Sequence, residues 1–357
     1  MRIIQIIDSL EAGGAEKMAV NYANILANEI EFSGLVVTRK EGSLLNILNS
    51  NVNYLFLNKK NKLDFKAVFK LKKYCKANKI DIIQAHSSSF FIATLVKIIM
   101  LKIKIIWHDH NGGVVPKREG QFYIMACSVF FNAIISVNQE LKTWAQKKLK
   151  CKNVTYLSNF SVTSFAEKKE TVLEGIAGKR ILCLANLRIQ KNHLMLIDVA
   201  ERLKKSHSDW TFHFVGKDFE DNYSEILINK IVEKKLNDKI FLYNSREDVE
   251  NIISQADICV FSSISEGLPV SLLEFGLQKK PVLSTRVGEI QYIIKDGING
   301  FLVDVNAVEF FYKRLIIMIE NEITRNNFGK ELFKTISENH GQHVVLTKYL
   351  NWIKTIN

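Results

Sequence analysis

FSSISEGLPVSLLEFGLQKKPVLS, residues Phe261 to Ser284, decides how the chain is read. The apolar run Ile258 to Phe261 has the length and composition of a buried parallel strand. A loop of small residues follows. Glu266-Gly267-Leu268-Pro269 then opens a helix, with proline in its first turn, where the missing N–H costs nothing. Val270, Ser271, Leu272, Leu273, Phe275 and Leu277 carry the helix on, and Lys279-Lys280-Pro281 stops it. Glu266 stands at the helix mouth and Glu274 further along. A helix mouth offers free N–H groups and the positive end of a dipole, which suits phosphate. An ionised carboxylate accepts two hydrogen bonds at once, which suits sugar hydroxyls. Phosphate beside sugar hydroxyls describes a nucleotide-sugar.

Upstream, the second half alternates strands and helices. The strands are residues 181–185, 211–216 and 239–243, and the helices start near Asn192, Tyr223 and Glu247. Such alternation implies a doubly wound parallel sheet. At the first strand end, Arg188 and Lys191 stand three apart before a helix. A guanidinium fork and a point charge placed there can clamp a diphosphate, although two surface cations at a helix start would read the same. Asp218 and Asp221 lack the DxD spacing of a metal motif and read as a solvated loop.

The first half has the same grammar. Strands are expected at Arg2–Ile7, Gly34–Thr38, Val52–Leu57, Asp81–Ala85, Ile103–Trp107, Ala133–Val137 and Val154–Leu157. Gly13-Gly14 follows the first strand and opens a helix, but GxGxxG is missing. A lysine-rich helix over 62–79 is expected to turn Phe65, Val68, Phe69 and Leu71 to the core. His86, His108 and His110 fall at strand ends, where doubly wound sheets bind ligands. No further ligands recur at a telling spacing, so no metal is expected. Residues 161–178 read as the connection between two domains.

Composition sets the outer bounds. The 357 residues suffice for two cores, and 47% hydrophobic with 24% charged residues is globular. Five scattered cysteines without CxxC read as reduced thiols of a cytoplasmic protein. Neither a signal peptide nor a membrane-spanning run is evident. Charge is lopsided. Residues 1–165 hold 23 Lys and Arg against 11 Asp and Glu, whereas 166–357 hold 26 against 26, which recovers the totals of 49 and 37. The whole excess of +12 lies in the first half. Nucleic-acid motifs are missing, so an anionic membrane surface or a phosphate-bearing lipid fits that half better. A lysine-rich solvated surface is the competing reading.

EGLPVSLLE, with seven residues between Glu266 and Glu274, resembles the signature of the retaining GT-B glycosyltransferases of family GT4. The following PVLSTRVGEIQYIIKDGINGFLV is similar to the next strand, turn and helix of that family. The resemblance covers nearly the whole chain. It implies a GT-B fold, two doubly wound Rossmann-like domains facing a central cleft. Their expected extents are 1–165 on the acceptor side and 166–340 for the nucleotide-sugar, with a C-terminal helix over 341–357 packing on the first. It implies retention at the anomeric carbon, a nucleotide-sugar donor, and no metal or other cofactor. By resemblance, Gly13 and Gly14 face the donor diphosphate, Ser245 and Arg246 the base, Glu274 the ribose, and Glu266 to Ser271 the sugar and distal phosphate. His110 lies beside the transferred sugar, with His86 and His108 structural or toward the acceptor. Many members carry the clamp's arginine five residues before its lysine, where this chain has Asn186. The expected acceptor is a lipid-linked saccharide at the inner face of a bacterial cytoplasmic membrane. A GT-B epimerase and a noncatalytic sugar-nucleotide or glycan-binding subunit stay open as alternatives.

Overall fold

The structure is a computed structural model that describes residues 1–110, 122–162 and 170–356. Asn111, Gly112, Gly113 and the expected boundary at 165/166 lie outside them. The chain divides into two units. One comprises Met1–Asn159 with the segment from Val345 onward, the other Phe160–Val344.

The first unit holds strands β1 (Arg2–Ser9), β2 (Phe32–Lys40), β3 (Asn53–Phe56), β4 (Ile82–His86), β5 (Lys104–Asp109), β6 (Ala133–Ser136) and β7 (Val154–Tyr156). They form one parallel sheet in the order β3-β2-β1-β4-β5-β6-β7. The second unit holds β8 (Arg180–Leu184), β9 (Thr211–Val215), β10 (Ile240–Tyr243), β11 (Ile258–Phe261), β12 (Val282–Thr285) and β13 (Phe301–Val303). Their order is β10-β9-β8-β11-β12-β13, again parallel. Each order reverses once, at β1/β4 and at β8/β11. Loops leaving such neighbours diverge to opposite sides and open a crevice at the strand C-termini.

Alternation along the strands explains why these runs are apolar throughout. Ile4 and Ile6 join one core cluster, and Ile7 joins another with Leu35 and Val37. In the second unit Ile181 and Cys183 pack with Phe212 and Phe214, whereas Leu182 packs with Cys259 and Phe275. Successive side chains leave opposite faces of the sheet and both faces are covered, so neither residue set can be polar without cost.

Three details depart from the sequence reading. The helix Phe65–Ala77 buries Ala67, Val68, Leu71 and Cys75, but Phe65 and Phe69 are 66% and 58% exposed. A helix that already fills its core stripe with smaller residues leaves the phenylalanines outside. Asp221 is no solvated loop residue: it caps the helix Asn222–Glu233, accepting from Tyr223 and Ser224 N–H at 3.0 and 3.2 Å. The expected connection over 161–178 is partly built into the second unit. Asp248 accepts from Glu170 N at 3.0 Å and from Thr171 N and Oγ1 at 2.7 Å each, and Leu173 is buried.

From Val345 onward the terminal helix Gln342–Ile353 belongs with the first unit. Tyr349 OH donates to Gln84 Oε1 at 2.7 Å, and Trp352 Nε1 donates to Asn153 Oδ1 at 3.2 Å. Among the described residues no helix is long and apolar enough to cross a membrane.

Within the second unit, the helix Glu322–His340 approaches the end of Val270–Leu277 at Gly329. A Cβ there would sit 1.9 Å from Lys279 O. Gly329→Ala is predicted to destabilise by about 1–3 kcal/mol, the range for overpacking. An exposed helical glycine would instead gain from the same change. The urea midpoint decides: a midpoint at or above wild type refutes the close packing.

Candidate active site

In the second unit the loops after β8, β11 and β12 are stitched together. Ser262 Oγ donates to Lys191 O at 2.8 Å, Ile264 N to Gln190 O at 2.8 Å, and Thr285 Oγ1 to Ser263 O at 2.6 Å. The stitching brings Lys191 Nζ to 2.7 Å from Glu266 Oε1, and Ser263 Oγ donates to the same oxygen at 2.6 Å. Glu266 is the more enclosed partner, its side chain 8% exposed against 23% for Lys191. Gly288 braces the turn from behind. Its φ is +49° and a Cβ would lie 2.0 Å from Glu266 O, so a side chain there would collide with the turn. Glu289 N also donates to Gly267 O at 2.9 Å.

The helix this turn feeds is Val270–Leu277. Pro269 is its N-cap, at φ −65° and ψ 129°, rather than a first-turn residue. The extended ψ keeps it just outside the helix, where the missing N–H is equally harmless. Val270 and Ser271 lead the helix, and Leu268 and Glu274 are buried beside it.

Arg188 shares the β8 loop but not the carboxylate. Its guanidinium lies 3.3 Å from the centroid of the Phe219 ring, with Lys217 Nζ at 5.1 Å from the same ring. Phe219 therefore carries Arg188 by cation–π contact, a role its sequence context does not announce. Asn186, in the place where relatives by resemblance carry arginine, accepts from Lys217 N at 2.8 Å and ties the two loops. Ser245 and Arg246 follow the edge strand β10, two strands from β8, and are exposed. Arg246 borders a small cavity of about 290 Å³ with Thr171 and Tyr243.

In the first unit, Gly13 is the N-cap of the helix Gly14–Leu26, at an extended φ of −165°. The space a Cβ would take there holds the Glu16 carboxylate, whose pKa burial raises. Across the switch point, Asp8 accepts from Thr38 Oγ1 and, at 2.7 Å, from Ser88 Oγ.

The three histidines converge, which their spacing did not reveal. His86 and His108 are register partners on β4 and β5. His86 Nδ1 lies 2.8 Å from His110 Nε2, and the His108 and His110 ring centroids are 3.9 Å apart. One ring nitrogen from each lies within 4.8 Å of the others, close enough for a shared ion. Hydrogen bonds already engage most of them: His86 Nε2 meets Gln5 Oε1 at 2.8 Å, and His108 Nδ1 meets Gln84 Nε2 at 3.0 Å. Only His108 Nε2 and His110 Nδ1 stay without a partner among the described residues, one short of a three-nitrogen site. Gln5, Gln84 and Tyr349 were missed as site-supporting residues. A signal existed, since Gln5 and Gln84 interrupt apolar strands and a buried glutamine demands partners.

The sequence model described as "Glycosyl transferases group 1" matches residues 164–335, and "Glycosyltransferase Family 4" matches 12–163. The chain is 22% identical over 334 residues to a UDP-Gal:alpha-D-GlcNAc-diphosphoundecaprenol alpha-1,3-galactosyltransferase of Escherichia coli, covering 87% of this chain and 86% of that one. A Campylobacter jejuni alpha-1,4-N-acetyl-D-galactosaminyltransferase, named for an acceptor on PP-undecaprenol, is 24% identical, covering 100% and 98%. The crystal structure of HepE from Anabaena in complex with UDP and glucose superposes with a TM-score of 0.82 at 17% identity, covering 99% and 100%. That likeness shows the fold, GT-B.

Four buried histidines and the partly exposed His110 give the protein a pH dependence. Burial lowers the pKa of His86 and His108 well below the usual value, of His110 to about 3, and of His193 and His213 to about 4. They stay neutral in the folded chain, whereas the unfolded chain protonates them below about pH 6.5. The stabilisation from neutral burial is therefore complete above that pH and is lost as pH falls toward the folded values. Denaturant midpoints are predicted to be level from pH 8 to 7 and to fall steadily from 6.5 to 5. A midpoint that holds or rises over the acidic interval contradicts the neutral assignment.

Proposed function

We propose, for a chain that belongs to the GT-B glycosyltransferases of family 4, that it transfers a sugar from a nucleoside-diphosphate sugar, with retention, to a lipid-linked saccharide. The reading extends to UDP as the nucleotide and to assembly of a bacterial surface polysaccharide at the inner face of the cytoplasmic membrane. The observation that carries it is the Lys191–Glu266 pair at the β8/β11 switch point, beside the start of Val270–Leu277.

The chemistry follows from that pair. Lysine has three N–H donors, and among the described residues Glu266 takes one. The others are free for the diphosphate, with Arg188 on its Phe219 shelf as a second cation. Charge grows on the diphosphate as the glycosidic bond breaks, so these cations help more in the transition state than in the ground state. Glu266 and the backbone N–H groups of Gly267, Val270 and Ser271 hold the sugar and distal phosphate. Glu274 accepts from the ribose hydroxyls, Ser245 and Arg246 meet the base, and Gly13 and Gly14 present backbone to the diphosphate. His110 binds beside the sugar with His108 next to it, while His86 has both ring nitrogens engaged, by His110 and Gln5. The leaving phosphate deprotonates the acceptor. Cationic side chains carry the charge, so the reading assigns no resident metal or other cofactor.

The exposed face of Phe65–Ala77 supports membrane binding. Phe65 and Phe69 stand among exposed Lys62, Lys66, Lys70 and Lys73. Aromatic rings that insert and lysines that meet phosphates form an interfacial surface. The E. coli and C. jejuni relatives, both named for undecaprenol-linked acceptors, fit this reading.

Lys191→Met and Glu266→Gln are predicted each to lower turnover on the order of 10²–10³-fold, the scale of one electrostatic contact. The assay runs in EDTA with calorimetry of UDP, GDP, ADP and CMP alongside. Glu274→Ala should lose the diphosphate that wild type binds; turnover intact in all three variants refutes the site. Separately, the protein should pellet with anionic vesicles at low salt, and Phe65→Ser/Phe69→Ser should not. Equal sedimentation of the two removes the membrane from the proposal.

A further inference from the structure

Behind the histidines of the first unit lie buried hydrogen bonds that no step above uses. Tyr349, fully buried on the terminal helix, donates to Gln84 Oε1 at 2.7 Å. That fixes the Gln84 amide with its N–H pointing the other way, 3.0 Å from His108 Nδ1. An amide N–H can only donate, so Nδ1 of His108 accepts and the ring's single proton sits on Nε2. On the other branch, Gln5 Oε1 can only accept, so His86 Nε2, 2.8 Å away, carries its proton. His86 Nδ1 then accepts from His110 Nε2 at 2.8 Å, which leaves His110 Nδ1 as a bare lone pair. Burial lowers the pKa of all three rings, so each holds one proton rather than two.

Among the described residues the two histidine nitrogens of this cluster without a partner, beside Gln5 Nε2, are therefore opposite in kind: an N–H on His108 and a lone pair on His110. A hydroxyl satisfies both at once, accepting from the first and donating to the second. A carboxylate lacks the proton for His110, and an ammonium lacks the acceptor for His108. We infer that Tyr349 and Gln84 on one branch, and Gln5 and His86 on the other, are positioning residues that fix these tautomers so that His108 and His110 together hold one saccharide hydroxyl. The inference rests on the reading that places a saccharide at His110. It gives the terminal helix a part in the site, through a residue 265 positions from its partner Gln84.

The test uses the full-length protein with ¹⁵N-labelled histidine, reading tautomers from two-bond ¹⁵N–¹H correlations. In wild type, His108 and His110 should both be Nε2–H. Tyr349→Phe removes one hydroxyl and frees the Gln84 amide, so His108 should become a mixture of tautomers. Transfer should then fall about tenfold, the worth of one net hydrogen bond at the upper end, with nucleotide affinity unchanged. Gln84→Glu offers only an acceptor and should drive His108 to Nδ1–H. Wild-type His108 found as Nδ1–H, or a His108 tautomer unmoved in both variants, overturns the relay. The underlying reading fails differently: with the tautomers as assigned, full transfer by His110→Ala would remove the saccharide from these nitrogens.

Discussion

The second unit is arranged around one carboxylate that must not be left alone. Glu266 is almost fully enclosed, and an unpaired buried charge costs several kcal/mol. Lys191 and Ser263 supply its partners, and both come from loops that the strand order places side by side. Gly288 has to be glycine because the turn carrying Glu266 presses against it. The pair is a weak argument for stability, because a partly exposed ion pair contributes about 0–1 kcal/mol. Its value is that the enclosed partner is anionic and fixed, while the more exposed partner is cationic and keeps donors for an anion.

The first unit solves a different problem with neutral groups. Gln5, Gln84, His86 and His108 all stand in strands whose remaining residues are apolar. Each is tolerated because the next strand, or the terminal helix, supplies a partner. Such a network is costly when half satisfied, and among the described residues Gln5 Nε2, His108 Nε2 and His110 Nδ1 are its nitrogens without a partner.

Much of the fold could be read from the chain. The strands were placed to within a few residues because buried parallel strands are short apolar runs bounded by turns. Lys191 and Glu266 stood out as charges beside helix starts, although for Lys191 a surface cation would have read the same, and Glu274 as a carboxylate within the apolar helix Val270–Leu277. The failures have local causes. Phe65 and Phe69 matched an apolar stripe, but four smaller residues already filled the core contact. Asp221 looked solvated because capping depends on backbone geometry, not on residue type alone. Phe219 went unnoticed because a ring matters to Arg188 only once a loop lays it underneath.

The sequence by itself determined the two strand–helix repeats, the basic first half, and the residue types able to hold a diphosphate and a ribose. Those follow from periodicity, from charge counts and from the short-range chemistry of helix ends. Tertiary structure alone decided which distant residues meet. Lys191 and Glu266 are 75 positions apart, and Tyr349 and Gln84 are 265 apart. No spacing rule reaches across such intervals, because the contacts depend on strand order and on the terminal helix joining the first unit. Proton positions on the histidines are further still from sequence, since each is fixed by a neighbour that is itself fixed by another.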